Sequence, residues 1–297
     1  MLSPQKCAAL GAMTTGPQIG GRHDTANVVS GRVGVSSNVA YEFRFANGDA
    51  ELYEGFAREL VAAKVDVIAA MNTPAAISAK KATSEIPIVL VAEAPVEYGL
   101  IKSLPRPGGN VTGVSLALNA LVGKRIQLLT EAVSGIRRIA HLGLDDKKNV
   151  DMVRAAATAL GLGLISTNAM PNGVSLELAS AIAQGAGADA WLVDDYTPFY
   201  SQRAQIFESI AAQRKPAMYS VPYWVKEGGL LAYAQDTVAL FSRAAGYVDR
   251  VLRGAKPSDL PVEEPTRFVL AVNLNTARAL GITIRSSILL QASEVVQ

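Results

Sequence analysis

Val65-Asp66-Val67-Ile68-Ala69-Ala70-Met71, then Asn72-Thr73-Pro74, and after a stretch of helical composition Ile86-Pro87-Ile88-Val89-Leu90-Val91-Ala92, form the passage that decides the fold class. Two apolar runs of strand length flank a segment, Pro74–Thr83, that reads as a helix. Asn72 and Thr73 place capping side chains just before a proline suited to the first helical turn. The apolar runs are continuous rather than alternating, as expected of strands covered by helices on both faces. Strand, helix and strand in that order make a parallel pair joined by a right-handed crossover.

The same beat runs outward in both directions from Asn38 onward. Further strands are expected at Val39–Phe45, Val111–Ala117, Arg138–Leu144, Gly163–Thr167, Ala190–Asp194, Ala217–Val221 and Leu230–Ala234. Helices are expected at Ala50–Ala63, Val96–Leu104, Leu121–Val133, Val150–Leu160, Leu176–Gln184, Tyr200–Gln213 and Val238–Arg253. In the first of these, Leu52, Phe56, Leu60 and Ala63 form one apolar stripe. The fold class is therefore α/β with doubly wound parallel sheets. Turn clusters at Arg106-Pro107-Gly108-Gly109-Asn110 and Gly228-Gly229 favour two lobes over one sheet.

Composition narrows the function. The chain has 297 residues, 49% hydrophobic, 18% charged and 6% aromatic, with a net charge of +2. That is ample material for buried cores, and it excludes disorder over most of the length. Basic residues are scattered rather than striped, so the phosphate-neutralising face of a nucleic-acid binder is missing. Cys7 is the single cysteine and His23 and His141 the only histidines, which leaves no disulfide framework and no clustered set of metal ligands. No run approaches the roughly 18 consecutive apolar residues of a membrane span. Residues 1–31 lack the charged and apolar regions of an export signal.

Three junctions lie at strand carboxyl ends, where open α/β sheets place their ligands: Asn72-Thr73-Pro74, Asp145-Asp146 and Asp194-Asp195-Tyr196-Thr197-Pro198. Each polar residue there could be a helix cap and nothing more. Convergence of several at the same sheet edges favours a site, since helix N-termini attract carboxylates and acidic residues such as Glu93, Asp145 and Asp194 can answer an ammonium group. Tyr196, Phe199, Tyr200, Tyr219, Tyr223 and Trp224 concentrate aromatic side chains near two of these junctions, as pocket wall or as core. Pro107–Gly113 is glycine-rich but leads into a strand and lacks a following Gly-Lys-Ser/Thr, so it is a turn and no phosphate loop. There is no Gly-x-Ser-x-Gly elbow. His141, inside an apolar strand, reads as a satisfied core histidine.

The stretch Ser103-Leu104-Pro105-Arg106-Pro107-Gly108-Gly109-Asn110-Val111-Thr112-Gly113-Val114-Ser115 closely resembles the hallmark of a family of ABC transporter substrate-binding proteins related to binders of tryptophan and other aromatic amino acids. Asn38–Ala46, Ile86–Leu90, Glu227–Leu231, Pro265–Phe268 and Val272–Ile284 are similar to further segments of that family, so the likeness spans about residues 37–297. It implies a type I periplasmic-binding fold, two doubly wound lobes joined by three crossing segments that close on a small molecule in the cleft between them. It also implies delivery to an ABC permease in the inner membrane, a periplasmic location, no catalysis and no cofactor. Two positions depart from the pattern: Ala94-Pro95 stands where the family often has Asp-Pro, and Ala232-Tyr233-Ala234 where it has Ser-Tyr-Gly.

On this reading the N-terminal lobe comprises residues 37–115 and 236–262, and the C-terminal lobe 116–235 and 263–297. The ligand-binding residues are Asn72, Thr73, Glu93 and Ser115 from the first lobe and Asp145, Asp194, Tyr196 and Tyr219 from the second. Residues 1–36 are expected to be atypical and poorly ordered. Val33–Ser36 looks like a first strand, yet only Ser37 separates it from Asn38, whereas a parallel crossover needs about a dozen residues. Either a first helix is deleted or residues 1–36 are unrelated sequence, and the usual first strand is expected to be missing. Two other classes remain open: a ligand-sensing domain of a signalling system, disfavoured because no basic or helix-turn-helix segment precedes residue 37, and a two-lobed α/β enzyme, disfavoured because no nucleophile or metal cluster is recognisable.

Overall fold

Strand β1, Gln5–Gly11, lies inside a parallel sheet, between β2, Val39–Phe45, and β3, Val67–Ala70. The computed structural model describes residues 5–11, 39–46, 51–116, 121–143, 147–169 and 177–297. The remaining elements in chain order are α1 (Leu52–Ala62), α2 (Thr73–Ala82), β4 (Ile88–Glu93), β5 (Val111–Leu116), α3 (Leu121–Ala132), β6 (Arg138–Gly143), α4 (Lys147–Ala159), β7 (Gly163–Asn168), α5 (Leu178–Gln184), β8 (Ala190–Val193), α6 (Thr197–Ala212), β9 (Ala217–Tyr219), β10 (Leu231–Gln235), α7 (Thr237–Leu252), β11 (Phe268–Asn273), α8 (Leu274–Leu280), α9 (Ser286–Gln291) and β12 (Glu294–Val296). The chain divides into two compact units, Met1–Ala117 with Gln235–Arg267, and Leu118–Ala234 with Phe268–Gln297.

In the first unit the strand order is β2-β1-β3-β4-β5. Side chains alternate along each strand, and both faces are buried. Ala8, Leu10, Ile68, Ala70, Ile88, Leu90 and Ala92 pack on one side, under α1 and α2, which contribute Tyr53, Ala57, Leu60, Ala75, Ala76 and Ala79. Cys7, Val67, Ala69, Val89 and Val91 pack on the other against Leu240, Ala244, Tyr247, Val248 and Val251 of α7. Burying each of the Leu and Ile side chains contributes about 1.5–3 kcal/mol, offset by conformational entropy.

The expectation that the first strand is missing is corrected by β1. Cys7 through Leu10 pair with Tyr41 through Arg44 on one side and with Val67 through Ala70 on the other. Residues 12–38 supply more than the dozen or so that the parallel crossover needs. The expectation of poor order therefore fails for Gln5–Gly11, because a strand paired on both sides with buried side chains is held by ladder and core together. The stretch Arg32–Ser37 and the place of a first helix lie outside the described residues.

Val96–Leu104 is not a helix but a chain of turns, in which the Leu100 and Ile101 amides both donate to Pro95 O. Pro95, the left-handed Gly99 at φ 66° and Pro105 leave no uninterrupted stretch for one. The hallmark stretch that follows binds the unit together. Asn110 Nδ2 donates to Thr83 O and Ile86 O at 3.1 and 2.8 Å, Thr112 Oγ1 donates to Leu260 O at 2.7 Å, and the Ser115 amide donates to Glu263 O at 2.8 Å. A β-carbon on Gly113 would collide with the Leu90 backbone, so only glycine fits beside β4. Because Glu263 bridges to Val114, residues 263–267 lie in the first unit rather than with the second lobe.

In the second unit the strand order is β12-β11-β10-β9-β8-β6-β7. Bonds from Asn273 N to Leu230 O and from Asp236 N to Arg267 O pair β11 antiparallel to β10. The pairs β9–β10, β8–β9, β6–β8, β6–β7 and β11–β12 are parallel. One face packs Ile139, Leu192, Met218 and Leu231 under Val122, Ile126 and Leu129 of α3 and Val153 and Ala157 of α4. The other packs Ala140, Leu142, Trp191, Val193 and Tyr219 against α5 and α6.

Candidate functional site

Asn72, at the carboxyl end of β3, has an extended backbone and caps α2: its side chain accepts from the Ala75 amide at 2.8 Å. Its Nδ2 donates to the Tyr53 hydroxyl at 2.7 Å. Thr73 Oγ1 accepts from the Glu93 amide at 3.0 Å, which ties the start of α2 to the carboxyl end of β4. Ser115 sits opposite Ala92 in the next strand and is buried, its hydroxyl 3.5 Å from Leu116 O. The structure thus brings Asn72, Thr73, Glu93 and Ser115 to one edge of the first sheet. Tyr53, which the sequence reading passed over, joins them through Asn72. Its only sequence signal was an aromatic beside the apolar stripe of α1.

The second unit's edge is built around a hydrogen-bonded histidine–aspartate pair. Asp194 follows β8, its amide donating to Leu142 O at 2.9 Å, and its Oδ2 lies 2.8 Å from His141 Nε2 on β6. Asn149 Nδ2 of α4 donates to the same oxygen at 3.3 Å. Burial pushes the Asp194 carboxyl up, but the hydrogen bond and charge of His141, with the charge of Arg125, outweigh it and hold the group below its ordinary value. Arg125, buried on α3, donates from Nε to Tyr233 O at 2.8 Å. His141, expected as a satisfied core histidine, is indeed buried, and its partner is Asp194. Arg125 and Asn149 escaped the sequence reading, and His141 was read there only as a core histidine, because their convergence needs three separate elements.

Tyr196 stands at the N-cap of α6, its ring edge-on to Phe199 with centroids 5.3 Å apart. Tyr219 is deeply buried: its ring meets Phe207 at 5.3 Å and Trp224 at 5.9 Å, both edge-to-face, and burial pushes its phenol up. It lies on the opposite face of the sheet from Asp194, with Val193. Asp145 lies outside the described residues. Among the described residues no three His, Cys, Asp or Glu side chains could hold a metal ion, and no helix is long and apolar enough to cross a membrane.

What this arrangement can do is hold a small polar molecule by a carboxylate kept ionised at a sheet edge. The chain is similar to several known proteins. It is 28% identical over 249 residues to a tyrosine-binding protein of Clostridioides difficile, covering 82% of this chain and 71% of that one. It superposes on the crystal structure of a Streptococcus pneumonia ABC domain in complex with L-Trp, with a TM-score of 0.81 and 25% identity, over 99% of this chain and 100% of that one. The ligand-free, open structure of a substrate binding protein with adhesive properties from Clostridium difficile shares the fold, with a TM-score of 0.71 at 21% identity and 99% of each chain covered. Residues 32–296 match the family of ABC transporter substrate binding proteins, which are solute-binding proteins and not enzymes. The chain belongs to the ABC transporter substrate binding protein family.

Proposed function

We propose that the chain is the solute-binding component of an ABC importer, taking an amino-acid-like or aromatic solute as its two lobes close and presenting it to a membrane permease. It works outside the inner membrane, in the periplasm, and performs no chemistry on its ligand. The single observation that carries the ligand class is Asp194: a carboxylate enclosed yet held in its charged form by His141 and Arg125. An enclosed anion at the carboxyl edge of a parallel sheet is suited to the cationic end of an amino acid. In the first unit, Asn72 and Thr73 begin α2, a ten-residue helix whose N-terminus is suited to a carboxylate. The similarity to a tyrosine-binding protein and to a domain crystallised with L-Trp supports an aromatic side chain on that amino acid.

Calorimetric titration with L-tyrosine and L-tryptophan, alongside aliphatic amino acids, tests the reading. The wild-type protein binds at least one aromatic amino acid, and Asp194→Asn weakens that binding roughly ten- to a hundredfold, the worth of one charge-assisted hydrogen bond. No binding of any amino acid, or equal binding by Asp194→Asn, overturns it.

A further inference from the structure

Ser220 directly follows β9, and its amide donates to Val193 O at 3.0 Å, which places it in register beside Asp194. Alternation along the two strands decides where both side chains go. Leu192 and Met218 belong to the core beneath α3, whereas Val193 and Tyr219 belong to the opposite core. Asp194 and Ser220, one step further along each strand, therefore return to the α3 face, the face from which His141 reaches Asp194. Ser220 is only 4% exposed, and its Oγ has no hydrogen-bond partner among the described residues. A buried hydroxyl without a partner is costly, and in a native structure it calls for an explanation.

We propose that Ser220 is a ligand-binding residue whose hydroxyl, with the Asp194 carboxylate, accepts from the cationic ammonium group of the bound amino acid. An ammonium carries three N–H donors and needs more than one acceptor once it leaves water. Asp194 already receives His141 and Asn149 on Oδ2, so a second oxygen beside it fills a need that the carboxylate alone does not meet. Ser220 then discriminates ligands by their amino group rather than by their ring. This inference rests on the reading that Asp194 takes the cationic end of the ligand.

The test compares wild type with Ser220→Ala by calorimetry, using L-tyrosine and L-tryptophan and their deaminated counterparts, 3-(4-hydroxyphenyl)propionate and indole-3-propionate. Ser220→Ala is expected to bind the amino acids about tenfold more weakly while its affinity for the deaminated acids changes less than about twofold. Ligand-free Ser220→Ala is expected to melt at the wild-type temperature or above it, since no protein bond is lost. Unchanged affinity for the amino acids overturns the assignment, as does an equal loss for both ligand sets. A fall of several degrees in the ligand-free melting temperature also overturns it, because it would give the hydroxyl a structural partner. If Asp194→Asn weakens binding and Ser220→Ala does not, only Ser220 falls. If neither variant changes binding, or wild type binds no amino acid, the reading of Asp194 falls with it.

Discussion

Gly143 and Asp194 are matched across neighbouring strands: a β-carbon on Gly143 would come within 2.5 Å of Asp194 Oδ2 and closer still to His141 Nε2. The pairing of His141 with Asp194 therefore depends on a missing side chain. Glycine at the end of β6 leaves the space in which imidazole and carboxylate meet.

Gly143→Ala is expected to destabilise the protein by about 1–3 kcal/mol, as overpacking does, and to weaken ligand binding. Gly123→Ala serves as the control, because Gly123 lies inside α3 with open space where its β-carbon would go. It is expected to stabilise by roughly 0.5–1 kcal/mol. Urea unfolding midpoints for the two variants, moving in opposite directions, check the pair.

Leu10→Ala is expected to cost about 2–5 kcal/mol, because Leu10 is fully buried in a strand paired on both sides. A chain lacking residues 1–11 would leave β2 and β3 with unpaired edges and is expected to aggregate. A truncated protein that melts at the wild-type temperature would show that β1 is dispensable.

Burial pushes the Cys7 thiol up to about 12, so almost no thiolate is present at neutral pH. Iodoacetamide is therefore expected to leave Cys7 unmodified in the folded protein and to label it rapidly in denaturant. Fast labelling of native protein at pH 7 would mean that β1 leaves the sheet readily.

Because the folded-state Asp194 carboxyl lies below its ordinary value, it contributes stability that is present above the unfolded value of about 3.9 and is lost as pH falls through the folded value. His141→Gln removes the largest influence opposing burial, so the Asp194 carboxyl should rise and the acid loss should begin at higher pH. Urea midpoints measured from neutral pH down to about pH 3 should show the two profiles separating on the acid side. Superimposable profiles would remove His141 from this role.

Ala94 adopts φ 46° just after β4, a left-handed conformation that costs an L-residue with a β-carbon roughly 1–2 kcal/mol. Ala94→Gly is expected to raise the melting temperature, and Ala94→Asn or Ala94→Asp to do so to a lesser degree. A lower melting temperature for all three would contradict it.

The strand-and-helix beat was legible because buried parallel strands must be apolar on both faces. Val39–Phe45 and the strands beginning at Val111, Arg138, Gly163, Ala190 and Ala217 start at the residues where the sequence pattern places them. Strand β1 carried no such mark: Lys6-Cys7-Ala8-Ala9-Leu10 holds no β-branched residue, and it lies ahead of the segment that matches the family. Pairing with β2 and β3 makes it a strand, and pairing partners are not written in local composition.

Asn72, Thr73, Glu93 and Asp194 were legible as candidates because caps and acidic groups at strand carboxyl ends sit next to their apolar strands in the sequence. Their partners were not. His141 reaches Asp194 from another strand, Arg125 and Asn149 act from two helices, and Gly143 matters for the space it leaves empty. The hallmark Ser103–Ser115 identified the family, yet Asn110, Thr112 and Gly113 serve the packing of the first unit. Periodicity and turn chemistry act over a few residues, so the sequence by itself determined the elements and their parallel order. Which ionisable groups share one enclosed space depends on contacts between residues far apart in the chain, and only the tertiary structure decided it.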